Sequence, residues 1–216
     1  MDSPRYDLHI HSTYSDGDAS VREIASKAIK MQLDTIAIAD HFWPCLGSRR
    51  AGAQLINQRR EEILNLQKVF ENLRIIDAAE IDIASDGSPA PVAGGIEQFD
   101  LVIGSIHFFL DSITWRSALQ KALSQWHFDI LGHWDGYLNS CREEDAEAVA
   151  ALLSKNNVAI ELSKRYETKF PWFIEMARDA GCEFTVGSDA HTIQEIGDLK
   201  ERIQLADAMG LKLKQI

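Results

Sequence analysis

Short apolar stretches and longer amphipathic ones alternate along these 216 residues. Asp7 to His11 reads as a first strand, and Ser20-Val21-Arg22-Glu23 as a capping box opening a helix to about Gln32. Thr35 to Ala39 is a buried strand that runs into Asp40-His41. After a loop from Phe42 to Gly52, a long helix reaches about Asn72. Arg74 to Ala79 is a strand ending in Glu80, and Asp86 to Gly95 is a turn-rich excursion. Leu101 to Gly104 is a strand, followed by a helix from Trp115 to Gln125. Phe128 to Leu131 and Val158 to Glu161 are strands either side of a helix from Glu143 to Lys155. A helix from Phe170 to Ala180, closed by Gly181, precedes a strand from Glu183 to Val186. The last helix spans about Ile196 to Met209 and is closed by Gly210.

Seven strand–helix units in strict alternation predict an α/β fold with a parallel sheet covered by helices. No composition break marks a linker, so a single domain over 1–216 is expected. A closed or nearly closed barrel suits seven units. A doubly wound sheet is the alternative, although no glycine-rich dinucleotide loop supports it.

Composition adds limits. The chain is 45% hydrophobic and 25% charged, an ordinary globular balance. Its net charge of −11 opposes phosphate backbones, so tight non-specific nucleic-acid binding is not expected. Three separated cysteines, Cys45, Cys141 and Cys182, form neither a disulfide framework nor a cysteine metal site. With no apolar leader at the N-terminus and no membrane-length apolar run, a cytoplasmic, membrane-free protein is expected.

The histidines give the pattern its chemistry. Six of seven, His9, His11, His41, His107, His133 and His191, fall at or just past strand C-terminal ends. Asp16, Glu80 and Asp189 join them. In parallel α/β folds that rim is where active sites are built. Each residue alone has an ordinary explanation: His9-x-His11 is a weak motif, and Asp40 could cap a helix. Asp77 or Asp82 could stand in for Glu80. The convergence of nine ligand-type side chains predicts a metal site. His127, beside Trp126, lacks strand-end placement and reads as a partly exposed residue.

In order along the chain stand His9-Ile-His11-Ser12 with Ser15-Asp16-Gly17, Ala39-Asp40-His41, Ala79-Glu80, Ser105-Ile-His107, Gly132-His133 and Gly187-Ser188-Asp189-Ala190-His191. With these motifs the sequence resembles the PHP (polymerase and histidinol phosphatase) superfamily of metal-dependent phosphoesterases. The resemblance implies a distorted (β/α)7 TIM-like barrel and a cluster of two to three divalent ions (Zn, Mn or Fe). It implies that His9, His11, Glu80 and Asp189 hold a first ion. Glu80 bridges to a second, completed by His107 and His133, and Asp16, His41 and His191 hold a third. Some members carry histidine where this chain has Asp16.

The implied activity is hydrolysis of a small phosphomonoester by a metal-bound hydroxide, with histidinol phosphate as one candidate substrate and inorganic phosphate as product. Asp189 or His191 is the expected proton shuttle, and Asp40 a partner that orients His41 or another ligand. Arg49, Arg50, Lys164 and Arg165 lie in rim loops. Arg49 and Arg165 are the expected phosphate clamps, although for any one such residue a solvated loop charge is the commoner state. Trp43, Phe108, Phe109 and Trp134 line a leaving-group pocket or cap the barrel core, the second being the commoner use of such residues. The competing functions are a nuclease or proofreading exonuclease and a non-catalytic metal-binding domain. Charge, the lack of a polymerase segment in this sequence and the full ligand set count against them.

Overall fold

A computed structural model describes residues 4–43 and 51–215 of the chain. Among these residues, seven strands form one parallel sheet in sequence order. They are β1 (Tyr6–Ile10), β2 (Thr35–Asp40), β3 (Arg74–Asp82), β4 (Leu101–Ser105), β5 (Ile130–Leu131), β6 (Ala159–Ser163) and β7 (Phe184–Gly187). Six α-helices follow six of the strands: α1 (Val21–Lys30), α2 (Ala53–Val69), α3 (Ser112–Gln125), α4 (Glu143–Lys155), α5 (Pro171–Asp179) and α6 (Lys200–Ala208). The expected strict alternation fails once, because β3 passes to β4 through turns and a 3-10 turn at Ile96–Gln98.

The sheet closes at the edge where β1 meets the segment after β7. His11 N donates to Ala190 O at 2.9 Å and Ala190 N to His9 O at 3.3 Å. Asp7 staples the same seam, accepting from Ser188 N at 2.9 Å and from Gly197 N at 3.0 Å. The doubly wound alternative is therefore excluded, and the distorted barrel stands. The strands are buried on both faces, so they read as near-continuous apolar runs rather than alternating ones. Most of the core lies between β3–β7 and α3–α5, centred on Trp115, Phe128, Phe173 and Phe184. A smaller cluster packs α1 and α2 on β1–β3 through Ile10, Ile24, Ile36, Ile38 and Ile63.

Local signals account for most boundaries. The Ser20–Glu23 capping box is present in both directions at the start of α1. Two expectations shift. The third helix begins at Ser112, not Trp115, because Asp111 caps it by accepting from Thr114 N. The last helix begins at Lys200, not Ile196. The Glu195 carboxylate accepts from His191 N and Thr192 N, folding that stretch into turns, and Gly197 takes a φ of +74°. No helix among the described residues is long and apolar enough to cross a membrane.

Candidate metal centre

Every strand-end ligand candidate arrives in one basin. His9 and His11 leave β1 with ring centroids 5.1 Å apart. A register irregularity between Asp7 and Ile10 twists this strand end against β2. The seam with Ala190 lays Asp189 and His191 beside them, with the His11 and His191 rings 4.3 Å apart. His41 follows β2, Glu80 projects from β3, His107 follows β4 and His133 follows β5.

Glu80 stands at the centre, 2% exposed, and its two oxygens face different neighbours. Oε2 lies 3.2 Å from His9 Nε2, 3.3 Å from His11 Nε2 and 3.1 Å from His41 Nε2. Oε1 lies 2.9 Å from His133 Nε2 and 3.4 Å from His107 Nε2. Asp189 Oδ1 is 3.3 Å from His11 Nε2 and 3.9 Å from His9 Nε2. Asp16 spans His11 Nδ1 at 3.4 Å and His191 Nε2 at 3.3 Å. Four triplets bring one donor atom each within 4.8 Å of one another: His9–His11–Glu80, His11–Asp16–His41, His11–Asp189–His191 and His41–Glu80–His107. His41 thus borders both the Asp16 side and the Glu80 side of the basin. Asp77 and Asp82 do not replace Glu80: Asp77 binds Arg59 and Arg60, and Asp82 faces His107.

A second ring of contacts orients these side chains. Glu161 on β6 takes His9 Nδ1 at 2.9 Å and accepts from His133 N at 2.8 Å. Asp82 takes His107 Nδ1 at 2.8 Å, and Asp189 O takes His191 Nδ1 at 2.9 Å. An acceptor on Nδ1 keeps the proton there and turns Nε2 into the basin as a free donor pair. Gly187 makes room for this. A Cβ there would stand 2.1 Å from Glu161 Oε1 and 2.9 Å from His9 Cβ.

Of the ligands Asp40 could orient, its hydrogen bonds point to Asp16. Asp40 accepts from Ser12 N at 2.7 Å, Ser12 Oγ at 2.8 Å and Ser15 Oγ at 2.7 Å, pinning the turn that carries Asp16. Arg59 completes the arrangement from α2. Fully buried over the Phe42 ring, it donates to Asp40 Oδ2, Asp77 Oδ1 and the carbonyls of Ile38 and Ala78.

The electrostatics follow from this crowding. Burial opposes ionising Glu80, but the imidazoles of His9, His41 and His107 outweigh it and hold the carboxyl well below its usual range. Against the same burial, His9 and His11 hold Asp189 down to about 2. Asp16 is also lowered, chiefly by His191 and His11. His9 is raised well above the imidazole norm by Glu161 and Glu80, in spite of its burial. Asp189 and Glu80 likewise push His11 up to about 10. His41 goes the other way because burial dominates there. The basin is a set of anionic oxygens that draws positive charge inward.

Bound divalent ions fit this donor set. His9 Nε2 and His11 Nε2, both facing Glu80 and Asp189, are buried without a well-directed hydrogen bond, a costly condition that a metal bond relieves. His133 (φ +24°) and Asp189 (φ +51°) hold left-handed backbone away from helix ends. Such strain is typical of positions fixed for function. Gln32 and Asn157 share that conformation only as residues following α1 and α4.

The remaining candidates divide. Arg165 reaches the rim, 39% exposed, with Nε 3.9 Å from Asp189 Oδ2 and Nη1 3.9 Å from Glu195 Oε1. Lys164 turns away and pairs with Glu201 of α6 at 2.5 Å. Arg49 and Arg50 lie outside the described residues. Trp134 caps the core against Phe173 and Trp115. Phe109 and Trp43 are exposed. His127 is a solvent-facing residue beside Asp129. Sequence reasoning missed Glu161 and Arg59. The available signals were a carboxylate within the apolar run Val158-Ala-Ile-Glu-Leu162, and an arginine in helical phase with Ile56 and Ile63.

A family model described as PHP domain matches residues 7–165. The chain is 33% identical over 208 residues to the DNA polymerase/3'-5' exonuclease PolX of Bacillus subtilis, covering 93% of this chain but 36% of that protein. It is 30% identical over 228 residues to a probable phosphatase of Aliivibrio fischeri, covering 97% of this chain and 87% of the relative. A histidinol phosphate phosphatase from Lactococcus lactis, solved with zinc, L-histidinol and phosphate, has the same fold. Its TM-score is 0.73 at 19% identity, over 97% of this chain and 95% of that one. With the family match spanning most of the sequence and the strand-end histidines and carboxylates gathered around Glu80, this chain belongs to the PHP domain family.

Proposed function

We propose that the chain is a metal-dependent phosphoesterase that hydrolyses small phosphomonoesters and releases inorganic phosphate. The observation that carries the proposal is Glu80, whose two carboxylate oxygens face two separate sets of imidazoles. That is the disposition needed to bridge two cations. The relatives named probable phosphatases, which this chain spans nearly end to end, support the same reading.

His9, His11, Glu80 and Asp189 would hold one ion, Glu80, His107 and His133 a second, and Asp16, His41 and His191 a third. Zn, Mn or Fe suits the mixed nitrogen and oxygen donors. When bound, such ions acidify water and neutralise charge that builds on phosphoryl oxygens. The chain supplies the rest. Glu161 and Asp82 hold the His9 and His107 rings in orientation. Arg165, at the rim beside Asp189, binds phosphoryl oxygens with its guanidinium. His191 is better placed than Asp189 to pass a proton to the leaving oxygen, since its side chain is 22% exposed against 4%. That role belongs to a two-ion form of the enzyme, because a third ion would take His191 as a ligand. Cys141 and Cys182, both free thiols, support a reducing, cytoplasmic setting.

The second reading, 3'-5' hydrolysis of nucleic acid, draws on the similarity to the B. subtilis polymerase/exonuclease. The net charge of −11 counts against it. An aryl phosphate, a phosphodiester and single-stranded DNA, each assayed with Mn or Zn, separate the readings. Turnover of the monoester, lost on chelation, is expected. Turnover of DNA alone would overturn the phosphomonoesterase proposal.

A further inference from the structure

We infer that Phe109, Tyr137 and Tyr166 form a subsite for a planar ring carried by the alcohol of the phosphoester. The inference rests on the phosphoesterase reading and specifies its substrate. Tyr137 is the hub. Its ring lies edge-on to His107 at 5.6 Å and to His133 at 6.1 Å, and near Phe109 at 5.6 Å and Tyr166 at 6.0 Å. Tyr166 in turn sits 4.9 Å from the His133 ring. The three rings therefore stand as a wall on the side of the basin that carries His107 and His133.

Phe109 is the least economical member of that wall. Its neighbour Leu110 is buried, yet Phe109 is 71% exposed, the most exposed large apolar side chain among the described residues. Its contact with the Tyr137 ring leaves most of its surface to solvent. Its position is nevertheless built. Leu110 N donates to Tyr137 O at 3.2 Å, and Asn139 N donates to Leu110 O at 2.9 Å, which locks the Phe109 loop to the Tyr137 loop. Gly136 lets Tyr166 close in, since a Cβ there would meet its ring at 3.0 Å. A rigid, half-wet aromatic surface beside a polar reaction centre offers edge and face contacts to a flat ring, and little selectivity for a flexible alkyl chain. A nucleobase and a simple aryl group present the same flat chemistry.

The test compares 2-phenylethyl phosphate with 2-cyclohexylethyl phosphate, which share linker and leaving oxygen and differ in planarity. A nucleoside 5'-monophosphate forms the third arm. In the Mn- or Zn-loaded wild type, kcat/KM should favour the phenyl over the cyclohexyl ester, mainly through KM. Phe109→Ala should shrink that preference about fivefold to tenfold, while Phe109→Trp retains it. Phe109 is exposed, so both variants should keep the wild-type Tm. A nucleotide that follows the phenyl ester in all three proteins identifies the ring as a nucleobase. One that follows the cyclohexyl ester assigns the wall to smaller aryl groups. An identical phenyl-to-cyclohexyl ratio in wild type and Phe109→Ala would overturn the subsite. Failure of the wild type to hydrolyse any of the three would instead overturn the phosphoesterase reading.

Discussion

Glu161 reaches across the barrel interior to His9, with Oε1 2.9 Å from the ring Nδ1, although 152 residues separate them in sequence. Its other oxygen accepts from His133 N at 2.8 Å. One buried carboxylate thus aligns residues assigned above to two different ions.

Glu161→Gln should expose this dependence. Glutamine offers one acceptor oxygen and one donor group, whereas both partners here are donors. Either His9 or His133 N loses its acceptor. We expect metal affinity to fall about 10- to 100-fold, read by competition with a chromophoric chelator. Excess metal should restore much of the activity. Unaltered affinity would show that His9 is held by other means.

Gly187→Ala tests the same point by sterics. The added Cβ would occupy space already held by Glu161 Oε1. Loss of bound metal together with a lower Tm is expected, measured by elemental analysis and thermal denaturation. A variant with wild-type metal content would show that the two strands separate at little cost.

Arg59→Met removes a cation from between two buried carboxylates, Asp40 and Asp77. Breaking a buried ion pair from one side typically costs about 3–5 kcal/mol, so the urea midpoint should fall sharply. Adding Asp40→Asn and Asp77→Asn should recover part of the loss, because no unpaired charge then remains. Since Asp40 pins the Asp16 turn, metal bound through Asp16 should be lost first.

The metal-free protein should have a two-sided pH profile. Asp16, Asp189 and Glu80 have folded values below their ordinary ones. Their contribution is present above about pH 4 and is lost as pH falls through the lowered values. His41, held down by burial, adds to the acid-side loss. His9 and His11 are raised. Their contribution is complete below the ordinary 6.5 and, for His11, is lost as pH rises towards about 10. Tm of the chelator-treated protein should therefore decline from about pH 6.5 upward, and added metal should remove the decline by replacing the protons. A flat Tm over that range without metal would refute the charge arrangement.

Arg165→Ala should raise KM for a phosphomonoester about tenfold with less effect on kcat, and Arg165→Lys should recover part of it. Steady-state kinetics decide this, and an unchanged kcat/KM removes Arg165 from the phosphate site.

The fold was written locally. Apolar runs such as Thr35 to Ala39 and Leu101 to Gly104, caps such as Ser20–Glu23, and stops such as Gly181 and Gly210 act over a few residues, so the order of strands and helices was legible. The strand-end positions of His9, His11, His41, Glu80, His107, His133, Asp189 and His191 followed, because chain direction in a parallel sheet fixes which end each occupies. Helix starts shifted where one side chain rewrote the local hydrogen bonds, as Glu195 does ahead of α6. The supporting groups belong to tertiary structure. Glu161, Arg59 and Asp40 matter through partners distant in sequence, and a carboxylate's role depends on which donors burial brings to it. Likewise, Phe109 and Trp134 both follow predicted ligands closely, and only packing sends one to solvent at the rim and the other into the core.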